Sequence, residues 1–482
     1  MRTYNHGWDR ENWSRWPDSN RRPAVYETAA LPLSYIGWPK KDTLESMPNT
    51  AFDTVIRQAR VVTGAHSEVA DVAIRDGKIA AIGDFRDAET VIEAQGLTLI
   101  PGLIDTQVHF REPGLTHKED LATGTLAARH GGVTSILEMP NTNPTTTTPE
   151  ALAEKLATAA GRASCDYGFF FGATPENADH LAEYEVLPGT PGIKVFAGSS
   201  TGSLLVNEES DLRRVFGHGR RRIAVHSENE ARNRRMKAEM APTDVHQHPE
   251  VRDAESAIME TRRILAIAKD ASRPVHILHI STGDEPAILA EAKRHQDVTC
   301  EVTPQHLWFA APEAYDRLGT LAQMNPPIRS VDHRNRIWQA LEAGVFDVFG
   351  SDHAPHLLAE KALPYPTSPS GMPGVETMLA VLLTFVAQGR LSLETVVKMA
   401  CETPAQLYGI TGKGHIRIGY DADLVLLDPA RPLVCEAKNL HSRCGWTPYE
   451  GETLHGEIHG VFLRGNREVT PSGQQLRFDG LG

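Results

Sequence analysis

The chain has 482 residues, of which 40% are hydrophobic and 23% charged, and its formal net charge is −13. This length predicts two ordinary domains or one large barrel with an appendage. The negative charge argues against nucleic acid and anionic membranes as partners, because both bind basic surfaces. The five cysteines show no C-x-x-C pair and are typical of reduced thiols, and no apolar run is long enough to span a bilayer. Since no secretory signal is recognisable either, we predict a cytoplasmic protein.

The first 46 residues differ from the rest of the chain. They hold four of the seven tryptophans and show neither the two-residue period of a strand nor the 3.6-residue period of a helix. The stretch 16–37 resembles the peptide obtained when a transfer-RNA gene is translated by mistake. We interpret residues 1–46 as a non-native or disordered extension and Met47 as the true start. A targeting peptide, which the acidic Asp9 and Glu11 disfavour, and an unusual docking arm are the alternatives.

Both ends of the remaining chain are rich in predicted strands. Short β-runs separated by turns fill residues 55–99, where Asp76-Gly77 is a strong hairpin signal. The same style returns at 414–428 and 458–469. These ends predict one small β-sandwich assembled from residues 47–100 and 410–482.

The middle of the chain, residues 101–409, alternates apolar runs with amphipathic stretches such as 119–130 and 254–269, which is the pattern of a parallel sheet. Eight apolar runs can be counted: 99–109, 133–138, 167–173, 193–198, 223–226, 275–279, 298–303 and 345–350. Eight βα units in this length predict a (β/α)8 barrel. The predicted fold class is therefore α/β, a barrel of this type with a small β-sandwich.

Polar residues at the ends of these runs predict a functional site, because such barrels carry their reactive groups at the carboxyl ends of the strands. Gln107, His109 and Arg111 end the first run and, at positions i, i+2 and i+4, share one face. The further polar residues at strand ends are Asn141, Lys194, His226, His279, Asp352 and His356. Imidazole and carboxylate groups are zinc ligands. A protonated lysine is not, so a salt bridge in the barrel mouth is the alternative for Lys194.

Three further motifs have simpler interpretations. The His246–His248 repeat lies between prolines in a polar stretch, and we interpret it as surface. The sequence TTTTPE predicts a helix start with Thr148 as N-cap and Pro149 in the first turn. The Pro/Gly/Ser-rich residues 362–374 follow the eighth strand, where barrels place substrate-contacting loops, so we favour a lid or pocket wall over a mere linker.

With these motifs in place, the chain resembles the dihydroorotase branch of the cyclic amidohydrolases from about residue 52 to 467. The resemblance rests on PGLIDTQVHFREPG, HKEDLATGTLAARHGGVTSILEMPNTNP, GIKVF, HILHIS, EVTPQHL, MNPPIR and GSDHAPHLLAEK. The last motif is highly specific, whereas GIKVF alone is weak. That family combines a metal-bearing (β/α)8 barrel with a small β-sandwich, which agrees with the strand count.

The resemblance implies a role for each residue at a matching position. His109, His226, His279 and Asp352 would be metal ligands, and Lys194 stands where related enzymes carry a carboxylated lysine that bridges two metals. Arg111, Asn141 and His356 correspond to the group that holds the substrate carboxylate. Asn325, Ser370 and Gly371 fall on further substrate-contact positions.

Gln107 departs from the family pattern, which has histidine at this position. A glutamine oxygen is a weaker zinc ligand than imidazole. The metal position whose ligands include His109 and Asp352 should bind its ion less tightly. The ligands of the other position, which are Lys194, His226 and His279, are unchanged. We therefore expect one tightly bound Zn²⁺ and a second, weaker one at most. Gln305 likewise stands where a histidine is common.

The implied reaction is the hydrolysis or reversible closure of a cyclic amide, with Asp352 as the catalytic base. The first hypothesis is a dihydroorotase, which interconverts N-carbamoyl-L-aspartate and L-dihydroorotate in pyrimidine biosynthesis. The second is a hydrolase of another cyclic ureide such as hydantoin or allantoin, which carries no ring carboxylate for Arg111 to hold. The third is a catalytically inactive structural partner, for which Gln107 is the best argument. We favour an active enzyme that acts on a carboxylate-bearing ureide, forms a homo-oligomer, and associates with a carbamoyltransferase.

Overall fold

The computed structural model describes residues 52–85, 87–199 and 204–479. The predicted N-terminal extension, residues 1–46, lies outside them. The strands in the described residues are β1 (Thr54–Val62), β2 (Ser67–Arg75), β3 (Lys78–Gly83), β4 (Thr90–Glu93), β5 (Thr98–Pro101), β6 (Leu103–Val108), β7 (Val133–Glu138), β8 (Asp166–Phe169), β9 (Phe171–Gly172), β10 (Ile193–Phe196), β11 (Ile223–His226), β12 (Val275–Ile277), β13 (Val298–Val302), β14 (Val348–Phe349), β15 (Leu424–Val434) and β16 (Thr453–Phe462).

The α-helices in the same residues are α1 (Leu121–His130), α2 (Pro149–Ala159), α3 (Leu181–Tyr184), α4 (Glu209–Gly217), α5 (Glu230–Met240), α6 (His248–Val251), α7 (Ala254–Asp270), α8 (Glu285–Ala292), α9 (Pro304–Trp308), α10 (Glu313–Leu318), α11 (Val331–Glu342), α12 (Leu358–Lys361), α13 (Met378–Ala387), α14 (Leu393–Val397) and α15 (Thr403–Leu407). The described residues form one compact unit. None of the helices in the described ranges is long and apolar enough to cross a membrane.

Strands from both ends of the chain form a small β-domain. They hydrogen-bond into one sheet of seven strands in the order β16-β15-β5-β1-β2-β3, with β4 paired to β1. Alternating apolar side chains of these strands build a core of their own, which includes Ile56, Val72, Leu99, Leu424 and Phe462. A strand pattern with a two-residue period buries one face in this way. Strands from both ends of the chain thus form the predicted small β-domain, and they are hydrogen-bonded into one sheet.

The first predicted apolar run, 99–109, divides between two sheets. Its first part, β5, is antiparallel to β15 in the β-domain, whereas β6 is parallel to β7 in the barrel. Gly102 separates them, and its N–H donates to Asp423 O at 2.8 Å. A Cβ at Gly102 would lie 2.2 Å from Thr134 Oγ1, so only glycine fits this close approach. One piece of backbone thus connects the β-domain directly to the first barrel strand.

Eight parallel βα units form the rest of the molecule. β14-β13-β12-β11-β10-β9 make one sheet and β6-β7-β8 another, and a single residue, Phe170, separates β8 from β9. A parallel bridge between Val108 and His353 links the first strand to the last. The barrel strands β6 to β14 are buried along their whole length, which explains their continuous apolar runs. The predicted (β/α)8 barrel is confirmed.

The helix starts follow local capping chemistry. The Asp120 side chain caps α1 by accepting from Thr123 N at 2.8 Å. Thr148 caps α2, with Pro149 in its first turn, as the sequence predicts. Asp253 caps α7 in the same way. Each cap satisfies an otherwise unpaired backbone N–H and contributes roughly 1 kcal/mol.

A buried lysine joins the β-domain to the barrel. Lys413 Nζ lies 2.5 Å from an oxygen of Asp166, at the start of β8, and 2.7 Å from oxygens of both Asp421 and Asp423. Arg464 Nη1 adds a contact of 2.6 Å to Asp166. These three aspartates are close enough together to suggest a metal site, but the ammonium of Lys413 already occupies their centre. We interpret the cluster as a structural junction.

Candidate active site

The end of β6 brings two side chains onto one carboxylate. Gln107, within the strand, donates from Nε2 to Asp352 Oδ1 at 3.0 Å, and His109 Nε2 lies 3.2 Å from the same oxygen. Both contacts follow from the two-residue period of a strand, which points side chains i and i+2 to one face. No more than 6% of any of these three residues is exposed, so the group is removed from bulk water.

Arg111 continues the two-residue spacing of Gln107 and His109 in the sequence, but its backbone is not in the extended conformation of a strand. Its φ is +64°, in the left-handed region. Its Nε donates to Pro355 O at 3.1 Å, and its Nη2 lies 3.2 Å from His356 Nε2. The structure therefore places Arg111 against the loop that follows β14, beside the group formed by Gln107, His109 and Asp352.

Left-handed backbone recurs at three ends of barrel strands. Arg111, His279 and Asp352 have φ values of +64°, +36° and +43°. This conformation costs a non-glycine residue about 1–3 kcal/mol and persists only where the surroundings enforce it. Such outliers concentrate at functional sites, because strain is tolerated where a side chain must be aimed. All three positions are among the predicted site residues.

Two histidines face each other across neighbouring strands. His226, the last residue of β11, has Nδ1 3.0 Å from Nε2 of His279, which follows β12. Glu228 Oε2 lies 2.9 Å from His226 Nε2 and accepts a hydrogen bond from its N–H, so Nδ1 of His226 carries a lone pair. Although burial opposes ionisation, Arg252 and His226 hold the pKa of Glu228 below its usual range. The carboxylate thereby fixes which nitrogen of His226 faces His279.

Lys194, in β10, is buried beside these imidazoles. Its Nζ lies 4.6 Å from the centroid of the Phe196 ring and has no hydrogen-bond partner within the described ranges. Burial lowers the pKa of Lys194 to about 7. Burial also lowers the pKa of His109, His226 and His279, and the positive charge of Lys194 adds to each shift. Among the described residues, Lys194 has no partner for the salt bridge considered as its alternative.

The unsatisfied polar atoms of this group fit a divalent metal. If His279 carries its proton on Nδ1, its Nε2 lone pair faces the lone pair of His226 Nδ1. If the proton is on Nε2 instead, Nδ1 of His279 is left as a buried acceptor with no partner among the described residues. A cation between the rings removes the first conflict, and buried polar atoms rarely stay unpaired. Lys194 Nζ is likewise unsatisfied. Imidazole nitrogens are ligands that zinc prefers.

At the neighbouring predicted metal position, the two polar atoms of the Gln107 side chain have different surroundings. Its amide nitrogen is used on Asp352, while its oxygen, the only ligand atom it has, is buried with no partner in the described part of the chain. His109 Nδ1 lies 2.8 Å from Asn141 Oδ1 and donates to it, so His109 Nε2 meets Asp352 with a lone pair. A proton or a cation between His109 and Asp352 fits this contact. Burial, together with Glu301, raises the pKa of Asp352 to about 7.

A second, positively charged group surrounds His356. Lys118 Nζ lies 3.0 Å from His356 Nδ1, and Arg111 Nη2 approaches the other ring nitrogen. Burial lowers the pKa of His356, and the charges of Arg111, Lys118 and Lys361 lower it further. Burial also lowers the pKa of Arg111, to about 10, which leaves it protonated at neutral pH. The pocket therefore concentrates positive charge around a neutral imidazole.

The other predicted substrate-contact residues fall into two neighbourhoods. Ser370 O lies 3.1 Å from His356 Nε2, so Ser370 joins the positive group. Gly371 has a φ of +146°, and a Cβ there would lie 2.4 Å from Ala354 O. Asn325 Oδ1 is instead 3.1 Å from His248 Nε2.

These contacts bear on two interpretations of loops and change one of them. His248 is only 4% exposed, so the interpretation of the His246–His248 repeat as surface is wrong for this residue, although His246 lies at the surface with 42% of its side chain exposed. The Pro/Gly/Ser-rich residues 362–374 carry Ser370 to His356, which is the position of a pocket wall.

Sequence reasoning missed the residues that support the site. Glu228 and Arg252 hold His226, Lys118 contacts His356, and Lys361 Nζ donates to three backbone carbonyls of the loops around Ser370. A signal existed for Glu228, a charged residue two positions after a predicted ligand in the motif AVHSE. Lys118 lies within the quoted motif HKED, but nothing in that motif identifies its partner.

Imidazoles, a lysine and an aspartate converging at the carboxyl ends of parallel strands define a hydrolase of the (β/α)8-barrel class. The chain belongs to the amidohydrolase family, whose model matches residues 98–467.

Several known proteins are similar to this chain over most of its length. A dihydroorotase of Halobacterium salinarum is 37% identical, and the match covers 82% of this chain and 92% of that protein. An allantoinase of Escherichia coli O1:K1 / APEC is 32% identical over 86% of this chain and 95% of its own. Among solved structures, the L-hydantoinase (dihydropyrimidinase) of Arthrobacter aurescens has a TM-score of 0.84 at 30% identity, with 88% of this chain and 99% of that chain covered.

Proposed function

We propose that this protein is a dihydroorotase, which interconverts N-carbamoyl-L-aspartate and L-dihydroorotate. The observation that carries the proposal is the buried positive group formed by Arg111 and Lys118 around the neutral His356. A guanidinium in such a pocket suits a planar carboxylate, which it can bind by two parallel, charge-assisted hydrogen bonds. Dihydroorotate carries that carboxylate, whereas hydantoin and allantoin rings do not.

The chain's own residues suit both the binding and the proton transfer. Arg111 and the backbone near Ser370 would orient the ring, so that the scissile amide lies over the group of Lys194, His226 and His279. Asp352 would take a proton from the attacking water and give it to the amide nitrogen as the C–N bond breaks. The hydroxyl ends on the carbonyl carbon and the proton on nitrogen, so the products are a carboxylic acid and a ureido group.

Lys194, His226 and His279 would hold the metal, with His109 and Asp352 beside it. We propose that the metal is zinc and that Lys194 is carboxylated, since a carbamate offers the oxygen ligands that a protonated amine lacks. When bound, the metal would supply Lewis acidity, which acidifies water toward a pKa of roughly 7 and polarises a carbonyl. Gln107 supports one tightly held ion rather than two.

The cellular context is proposed on the same basis. A dihydroorotase acts in pyrimidine biosynthesis, and we place this one in the cytoplasm as a homo-oligomer. Association with a carbamoyltransferase, the enzyme class that forms N-carbamoyl-L-aspartate, would pass the substrate directly to this site.

A substrate panel tests the proposed function. The purified protein, supplied with zinc and bicarbonate, is assayed with L-dihydroorotate, hydantoin and allantoin at equal concentrations. We expect kcat/KM to be highest for dihydroorotate by at least about a hundredfold, because the other two rings leave the buried Arg111 without its anion. Preference for a neutral ring would overturn the proposal in favour of the hydantoinase or allantoinase alternative. Absence of turnover with all three would favour the inactive structural partner.

A further inference from the structure

The positive group contains a lysine that the implied chemistry does not use. Lys118 lies in the loop between β6 and α1, and only 12% of its side chain is exposed. Its Nζ is 3.0 Å from His356 Nδ1 and 3.0 Å from Glu360 Oε1. Glu360 in turn accepts from Leu357 N at 2.9 Å. The ammonium is therefore held between a carboxylate and one nitrogen of the imidazole.

This contact determines the tautomer of His356. An ammonium group has donors only, so the contact with Lys118 requires a lone pair on Nδ1 of His356, whereas Nε2 faces both a donor, Arg111, and an acceptor, Ser370 O. A neutral imidazole that accepts at Nδ1 carries its proton on Nε2. His356 Nε2 then donates to Ser370 O, 3.1 Å away. The neutral state agrees with the charged groups around the ring, which are Arg111, Lys118, Lys361 and Glu360.

The tautomer has a consequence for Arg111. Arg111 Nη2 lies 3.2 Å from His356 Nε2, and a guanidinium nitrogen is also a donor only. With a proton on Nε2, the ring cannot accept from Arg111. With the opposite tautomer it would accept from Arg111 and release the Ser370 carbonyl. With the proton on Nε2 of His356, Nη2 of Arg111 must donate to an acceptor other than His356.

We propose that Lys118 is a positioning residue for the substrate carboxylate: it holds His356 as the Nε2–H tautomer, which fixes the Ser370 backbone and prevents the imidazole from competing for Arg111. This inference deepens the proposed dihydroorotase function and rests on it. Lys118 itself touches neither the reacting amide nor the group of Lys194, His226 and His279.

Two variants of Lys118 test the inference. Lys118→Met keeps the length of the side chain but removes the donor, so the tautomer is no longer enforced. We expect the KM for L-dihydroorotate to rise about tenfold, as for the loss of one charge-assisted contact, while kcat changes less than about threefold. Lys118→Arg retains a donor and should keep KM within about threefold of the parent. Lys438→Met, which removes a lysine of an exposed ion pair at the surface, is the matched control for the loss of charge.

A spectroscopic measurement reports the tautomer independently of turnover. In protein labelled with ¹⁵N-histidine, His356 is assigned by comparison with His356→Asn, and its Nδ1 should have the chemical shift of an unprotonated ring nitrogen in the parent. Lys118→Met should shift that signal toward the protonated form. An unchanged signal, or an unchanged KM, would overturn the role of Lys118, as would a Lys118→Arg variant as impaired as Lys118→Met. If the parent itself does not turn over dihydroorotate, the proposed function fails, and the ¹⁵N signals still decide whether Lys118 sets the tautomer.

Discussion

We predict that the number of metal ions bound at the site depends on one side chain, Gln107. Its amide nitrogen donates to Asp352 at 3.0 Å, and its oxygen has no partner in the described residues. An imidazole at this position would instead offer a nitrogen lone pair two residues from His109, on the same strand face. Glutamine thus retains a contact with Asp352, and we expect it to weaken one of the two metal positions that the family pattern implies.

Gln107→His should therefore raise the zinc content of the purified protein from about one toward two ions per chain. The added imidazole is a stronger zinc ligand than an amide oxygen. Elemental analysis after exhaustive dialysis measures the content. Two zinc ions in the parent, before any substitution, would contradict this reading of Gln107.

The matched comparison removes a ligand from the other position. His279→Ala should reduce the zinc content to near zero and abolish turnover, because His226 and Lys194 would then lack their third partner. Equal loss of zinc in His279→Ala and in a variant of the exposed His246 would show that the loss is not specific to the site.

We expect Arg111 to determine which cyclic ureide the site prefers. Arg111→Ala removes the only guanidinium of the positive group around His356 and should lower kcat/KM for L-dihydroorotate by about a hundredfold or more, a loss of roughly 3 kcal/mol of transition-state stabilisation. Zinc content should stay that of the parent. Steady-state kinetics and elemental analysis check both statements, and parent-like activity on dihydroorotate would reject the carboxylate clamp.

At the scale of elements, the loop after β14 is held by contacts that converge on the end of α12. Lys361, its last residue, donates to Gln323 O and Pro369 O at 2.9 Å each and to Gly371 O at 3.1 Å. Within the described ranges, no carboxylate lies within 4.0 Å of its Nζ. Burial and the nearby Arg111 lower the pKa of Lys361 to about 7. Backbone carbonyls, rather than an ion pair, therefore keep Ser370 and Gly371 in place.

Lys361→Met should loosen this pocket wall. Three buried carbonyls would lose a donor, at a cost of about 1–3 kcal/mol in the free energy of unfolding. We expect a lower melting temperature, faster proteolysis within residues 362–374, and a raised KM for dihydroorotate. Limited proteolysis followed by mass spectrometry locates the cleavage. Cleavage at the parent's rate in that loop would contradict the role given to Lys361.

The elements themselves were predictable because each leaves a local signal. The runs 133–138 and 223–226 are observed with the same bounds as β7 and β11, since a buried parallel strand is a short, continuous apolar run. The division of 99–109 at Gly102 was not predictable, because it depends on Thr134 in a neighbouring strand. Strand ends likewise indicated where the site residues would lie.

The contacts that tune the site escaped the sequence for a physical reason. Lys118 and His356 are 238 positions apart, and Glu228 and Arg252 are 24 apart in different loops. Periodicity describes which face of an element a side chain occupies, but it carries no information about the partner that another loop brings to it. Such pairs can be identified only in the folded structure.

For the molecule as a whole, Lys413 is a buried residue whose ion pairs join the β-domain to the barrel. It stands among Asp166, Asp421 and Asp423, three carboxylates from the barrel and the β-domain. Removing one partner of a buried ion pair leaves uncompensated charge and costs about 3–5 kcal/mol. Lys413→Met should lower the free energy of unfolding by that order, as measured by urea denaturation.

The control for Lys413 is a lysine with an exposed pair. Lys438→Met removes a contact to Glu436 of which both partners are solvated, and it should change the free energy of unfolding by less than about 1 kcal/mol. Similar effects of the two substitutions would show that the junction of Lys413 contributes no more than a surface pair.

The shared backbone at Gly102 makes the two parts of the fold act cooperatively. β5 ends at Pro101 in the β-domain, β6 begins at Leu103 in the barrel, and Gln107 and His109 follow within seven residues. Fraying of the β-domain sheet would therefore release the strand that carries the first site residues. Conversely, an ion or substrate bound at the end of β6 would stabilise the folded state by mass action, and we expect that stabilisation to extend through the shared backbone to the β-domain. We therefore expect the β-domain to stabilise β6, the strand that positions the first site residues.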